Sequence, residues 1–109
     1  MDEELEEVSF TIIASAGTAR SCYIEAMDKA EAGKFEEAEA LLKEGQKTFI
    51  GAHDAHFGLI QKEAEGNKTE FALILMHAED QLMSAEAFGI LAERHIALAK
   101  RLADLESRA

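Results

Sequence analysis

Leu73-Ile74-Leu75-Met76-His77-Ala78-Glu79-Asp80-Gln81-Leu82-Met83-Ser84-Ala85-Glu86-Ala87-Phe88-Gly89-Ile90-Leu91-Ala92 is the stretch whose pattern carries the fold. Its apolar residues recur in steps of three and four and no proline interrupts it, so it is read as helix. Three seams at that spacing run along it. They are Phe71, Leu75, Ala78, Leu82, Ala85, Gly89, Ala92 and Ile96; Ile74, His77, Gln81, Ser84, Phe88, Leu91, His95, Leu98 and Leu102; and Leu73, Met76, Asp80, Met83, Ala87, Ile90 and Arg94. Only Glu79, Glu86, Glu93 and Lys100 form a strip suited to water. A helix apolar nearly all round asks to be buried nearly all round, whereas a helix of a lone three-helix bundle keeps one face wet. Self-association resolves the conflict, because the small Ala78, Ala85, Gly89 and Ala92 allow close helix approach and leave another seam for identical helices. Cover by a different partner is the alternative, and the pattern alone does not set the number of subunits.

Outward from this stretch, two more helices complete the reading. Leu5, Val8, Ile12, Ala16, Ala19, Tyr23, Ala26 and Ala30 form one helical face, with Asp2, Glu3 and Glu4 at the N-terminal end that favours negative charge and Gly33 at a left-handed C-terminal cap. Phe35, Ala38, Leu42, Gly45, Phe49, Ala52, His56 and Leu59 form the next, ended by Gly66-Asn67. Asn67 with Glu70 three residues on has the form of a capping box for the third helix. The expectation is an all-α, antiparallel up-down-up three-helix bundle over 1–109, with helices near 3–32, 35–65 and 68–107, each roughly 45 to 60 Å long at ~1.5 Å per residue. Gly33-Lys34-Phe35-Glu36-Glu37-Ala38 is tetratricopeptide-like, but no comparable segment follows about 34 residues on, and a solenoid needs several repeats.

At 109 residues the chain suits one domain. Eleven Lys and Arg against 22 Asp and Glu give a formal charge of −11, which argues against nucleic acid and anionic membrane as partners. Hydrophobic residues at 48% exclude an acidic disordered tail. One cysteine, Cys22, excludes an intrachain disulfide and a cysteine-based zinc site, and is read as a core residue in a reducing compartment. Met1-Asp2-Glu3-Glu4 lacks the basic and apolar regions of a signal peptide, and the apolar run Phe71 to Met76 falls far short of the ~20 residues that span a bilayer, so a cytoplasmic location is expected.

The chain carries no Gly-x-Ser-x-Gly elbow, Gly-rich phosphate loop, His-Glu-x-x-His or bundle Glu-x-x-His. What remains is one acid and four histidines. Asp80 interrupts the seam of Met76 and Met83. If that seam is a symmetric interface, Asp80 meets its own copies, and unit charges 4 Å apart repel by about 4 kcal/mol at an effective dielectric of ~20, so a cation or a raised pKa must intervene. Carboxylate and water oxygens suit a magnesium-like hard cation better than zinc. The plain reading puts Asp80 at the seam's edge, solvated. His53 and His56, one turn apart, are a weak metal pair or a packing detail, and His95 is read as packing. His77, with Asp80 one turn on and Gln81 four residues on, is either an interface histidine or a ligand, acid/base or nucleophile.

The segment from Leu73 to Ala85 resembles the active-site segment of the lactose/cellobiose (also chitobiose) enzyme IIA family of the bacterial phosphotransferase system. Val8-Ser9-Phe10-Thr11-Ile12-Ile13 through Ala16-Gly17-Thr18-Ala19-Arg20-Ser21 is similar to that family's first helix, and Gly33 to Ala38 to its helix-two opening. The resemblance implies a homotrimer of three-helix subunits, with His77 phosphorylated by the histidine phosphocarrier protein and the group then passed to a cysteine of the cognate enzyme IIB during sugar transport. It places a divalent cation, magnesium in this reading, on Asp80 of each subunit at the trimer axis, and the membrane enters only through the sugar permease. Gln81 stands where many members have a second histidine, and Glu79 where many have glutamine; Gln81 can still hydrogen-bond a phosphoryl oxygen. The competing classes are a non-catalytic helical adaptor that keeps the fold and a metal-binding bundle using His53, His56 and His77.

Overall fold

Asp2 accepts a hydrogen bond from the Glu4 N–H at 2.8 Å, and with Glu3, Glu4 and Glu6 at the positive end it starts α1, Glu3–Glu31. The protein is described here as a computed structural model covering residues 2–109; Met1, the first residue of the start read above, lies outside them. α2 spans Phe35–Ala64 and α3 Leu73–Ser107. Both turns close in the same way. Gly33 takes φ 78° and Gly66 φ 96°, the left-handed region that only glycine enters cheaply. From them the backbone bonds backward: Lys34 N–H to Lys29 O at 2.9 Å, and Asn67 N–H to Lys62 O at 3.0 Å.

The second closure corrects the predicted start of α3 near residue 68. Asn67 donates its N–H to the end of α2 and so terminates that helix instead of capping the next. Glu70 does not reach back to Asn67 either, because its Oε1 accepts from the Asp2 N–H at 3.2 Å. α3 therefore begins at Leu73 after an N-cap, Ala72, with no capping side chain, and Phe71 stands outside the helix, 81% exposed.

The ion pairs fix the directions. Glu4–Lys62 and Lys29–Glu37 pair α1 with α2 antiparallel, and His56–Glu79 and Glu39–Lys100 pair α2 with α3 antiparallel. Arg20–Ser84 and Glu31–His95 run α1 and α3 in the same sense. This is the up-down-up bundle the periodicity predicts.

Its core is thin. Near the α1–α2 turn Ala19, Tyr23, Ala26, Ala30, Ala38, Leu42, Ala92 and Ile96 pack together; toward the start of α3 Ile12, Ala16, Ala52, Ala78, Leu82 and Ala85 do so, and Phe49 touches both groups. The α1 seam holds with one exchange, since Ser9 is sealed and Val8 only half-buried. On α3 the seam from Ala78 to Ile96 is the buried one. Leu73, Met83, Ile90, Leu91, Leu98, Leu102 and Leu105 are each more than half exposed. The chain is a rod of 61 × 20 × 19 Å with a radius of gyration of 17.3 Å, against about 13 Å for a compact domain of this size. Its accessible surface is 7196 Å², where a compact monomer of 11.9 kDa presents roughly 5,950 Å².

One wedge joins the three helices. The Tyr23 ring enters between α2 and α3 where both present glycine: a Cβ on Gly45 would lie 2.6 Å from Tyr23 Cε1, and one on Gly89 2.9 Å from Tyr23 Cζ. Overpacking costs about 1–3 kcal/mol and outweighs the ~1 kcal/mol that alanine gains over glycine in a helix. Gly45→Ala is therefore expected to lower the urea-unfolding free energy by about 1 kcal/mol at fixed chain concentration, and in a Tyr23→Leu background the same change should stabilise; an equal effect in both backgrounds would contradict the wedge. Ser9 Oγ is buried without a hydrogen-bond partner among the described residues. An unsatisfied buried hydroxyl costs about 1–3 kcal/mol, so Ser9→Ala is expected to raise the thermal midpoint, and a lower midpoint would reveal a partner for that hydroxyl.

Candidate functional site

The site is built on the first turns of α3. Ala78, Leu82 and Ala85 face the core and set the rotation of the helix, which turns Glu79 toward α2 and Ser84 toward α1. His77 and Asp80 are exposed and Gln81 is half-buried. Spacings of three and four make Asp80 and Gln81 the surface neighbours of His77 within one turn. None of the three has a hydrogen-bond or ion-pair partner among the described residues. In the single chain the His77 ring is therefore open to solvent.

Its electrostatic setting is mixed. α3 starts one turn before His77 with no capping side chain and no acidic residue in its first turn, which leaves the positive helix end open to an anion, while Glu79 and Asp80 bring two carboxylates to the same turn as His77. A helical side chain leans toward the N-terminus of its own helix, which brings a negative group on His77 toward that end.

The other histidines are committed elsewhere. His53 stacks on Phe57 with ring centroids 6.2 Å apart, and its Nδ1 lies 3.4 Å from Asp54 Oδ1. His56 Nε2 is 2.7 Å from Glu79 Oε2, and His95 Nε2 is 2.8 Å from Glu31 Oε2. The reading of His95 as pure packing is corrected by this ion-pair geometry, and that of Glu79 as part of a solvated strip by its bond to His56. The up-down-up order sets the end of α2 beside the start of α3, so the His56–Glu79 pairing was derivable from topology plus seam register. His53, His56 and His77 are not gathered into one site, and no three His, Cys, Asp or Glu side chains among the described residues form a metal site within the chain. Cys22 is half-buried on α1; burial pushes its thiol pKa up, and the charges of Glu44 and Glu25 add to the shift.

Asp80 lies on the outward stripe of α3 between Met76 and Met83, all three exposed. One carboxylate per chain is no metal site. Its oxygens are hard donors without a partner among the described residues, the chemistry that hard divalent cations take.

Comparison with known proteins gives the family. Residues 7–100 match the family described as the lactose/cellobiose-specific IIA subunit of the PTS system. The oligo-beta-mannoside-specific EIIA component of Bacillus subtilis is 48% identical over 79 residues, 72% of each chain. The crystal structure of the cellobiose-specific enzyme IIA of Bacillus anthracis superimposes with a TM-score of 0.91 at 38% identity, covering 95% of both chains. A IIA(Chitobiose)–HPr complex structure from the Escherichia coli phosphotransferase system matches with a TM-score of 0.78 at 33% identity, over 93% of this chain and 98% of that one. With most of the chain matched in sequence and nearly all of it in fold, this protein belongs to the lactose/cellobiose-specific IIA family of the phosphotransferase system and is a phosphotransferase component of the phosphohistidine-carrier kind.

Proposed function

We propose that the chain carries its phosphoryl group on His77, receives it from the histidine phosphocarrier protein and hands it to a cysteine of the cognate enzyme IIB during coupled sugar uptake in the cytoplasm. One observation carries this reading. Among the described residues His77 is the histidine whose ring nitrogens are both unengaged, while His53, His56 and His95 each face a carboxylate. An unprotonated imidazole nitrogen of His77 attacks the phosphorus of the donor phosphohistidine in line, the donor's P–N bond breaks, and the donor imidazole leaves with the electron pair and takes up a proton. In the second transfer the new P–N bond breaks as a thiolate of the acceptor attacks. Gln81, one turn away and without a partner among the described residues, would donate a hydrogen bond to a phosphoryl oxygen.

The IIA(Chitobiose)–HPr complex supports a phosphocarrier as donor. No helix among the described residues is long and apolar enough to cross a membrane. The sugars in the relatives' names differ, oligo-beta-mannoside, cellobiose and chitobiose, while the fold is shared. That suits a subunit that handles phosphoryl and never touches sugar.

The working unit in this proposal is a homotrimer joined along the outward stripe of α3. Support comes from the large apolar residues left exposed there and from the roughly 1,250 Å² of surface in excess of a compact monomer, which is on the scale an interface removes. The number three follows the family resemblance. Asp80 of each chain would hold a divalent cation, magnesium, at the axis, whose contribution is to neutralise the converging carboxylates.

Incubation with phosphoenolpyruvate, enzyme I and the phosphocarrier is expected to add one phosphoryl per chain. His77→Ala should abolish labelling while His53→Ala and His95→Ala keep it; labelling that survives His77→Ala would contradict the assignment. Asp80→Leu removes the axial charge, so the variant is expected to stay trimeric in EDTA with a thermal midpoint at least equal to the parent's. Its collapse to monomer in light scattering would contradict the axial account.

A further inference from the structure

The corner between the end of α2 and the start of α3 is hollow. A cavity of about 390 Å³ opens there, with His56, Leu59, Phe71, Leu75, Met76 and Glu79 in its wall. Packing at this corner is therefore sparse. The seam those turns bury is Ala78, Leu82 and Ala85, of which only Leu82 is branched, so the core fixes the rotation of the helix through one large side chain and two methyl groups. No side chain caps the helix start. Two polar contacts add to that constraint. On the α1 flank Arg20 Nη1 lies 3.3 Å from Ser84 Oγ. On the α2 flank His56 Nε2 lies 2.7 Å from Glu79 Oε2, and the His56 side chain is only 16% exposed. The second is the shorter and the nearer to His77, two residues away on the opposite side of the same turn. Any rotation of α3 that moves Glu79 swings His77 through the same angle.

We infer that Glu79 and His56 are positioning residues for phosphoryl transfer: their hydrogen bond across the hollow corner tightens the rotation that the Ala78, Leu82 and Ala85 seam sets for the first turns of α3 and thereby aims the His77 imidazole at the incoming phosphorus. The inference rests on His77 as the acceptor. In-line transfer needs that aim, since a misplacement of about 1 Å costs on the order of a hundredfold in rate.

The test pairs two near-isosteric variants. Glu79→Gln keeps a carbonyl oxygen for the His56 N–H, and Glu79→Met keeps length and helix propensity but not that acceptor. In single-turnover transfer from the phosphorylated phosphocarrier, Glu79→Met and His56→Ala are each expected to lower the limiting rate about tenfold, with the half-saturating donor concentration within twofold of the parent's. The double variant should be no slower than either single, and Glu79→Gln should recover to within twofold. Hydrogen exchange at amides 74–80 should quicken in Glu79→Met and not in Glu79→Gln, with the thermal midpoint held. Unchanged rate and exchange in Glu79→Met would overturn the inference, as would a rise in half-saturating concentration alone or multiplying effects in the double variant. Failure of the acceptor assignment reads differently: the parent is then unlabelled at His77, and the exchange arm still decides whether the pair holds the turn.

Discussion

α3 places its small residues inward and, with Leu82 and Ile96 as the buried exceptions, most of its large apolar ones outward, and the rest of the protein depends on that inversion. Ala78, Ala85, Gly89 and Ala92 face α1 and α2, while Leu73, Met83, Ile90, Leu98 and Leu105 face away. Small inward residues let three long helices close on one another and let the Tyr23 ring wedge between Gly45 and Gly89. They also limit the apolar area one chain removes from water, at about 25 cal/mol per Å², so much of the available burial is deferred to the outward face. A stripe this long and apolar has the character of an interface rather than of a monomer's surface.

The candidate site sits beside that stripe. Asp80 belongs to it; His77 stands at its edge, close to the uncapped positive end of α3. A covered stripe and an accessible imidazole are then compatible in one turn of helix. The three other histidines are drawn into contacts with Asp54, Glu79 and Glu31, which leaves His77 as the histidine without a partner among the described residues.

The three helices, their order and the excess of apolar surface on the last were legible in the sequence, because each rests on a period repeated over many turns. Gly33 and Gly66 were legible as helix ends because left-handed backbone demands glycine. The start of α3 was not. Asn67 and Glu70 satisfy a local capping rule, yet both are claimed by longer-range bonds, to Lys62 and to Asp2, that a local rule does not see. At the site, spacing alone put His77, Asp80 and Gln81 within one turn, as the helix has them, while their phosphoryl role is what the resemblance implies. Glu79 was misread because its strip is polar, and a polar strip looks solvated until the neighbouring helix is known to bring His56 against it.

The central claim is that several copies, joined through the outward face of α3, each carry one phosphoryl group on His77. Native mass spectrometry of the chain after incubation with phosphoenolpyruvate, enzyme I and the phosphocarrier, followed by peptide mapping under conditions that preserve phosphohistidine, tests it most directly. The account predicts a three-chain species bearing up to one phosphoryl per chain, all of it on the peptide containing His77. A phosphorylated species found only as monomer, or a phosphoryl group mapped to His53, His56 or His95, would contradict it.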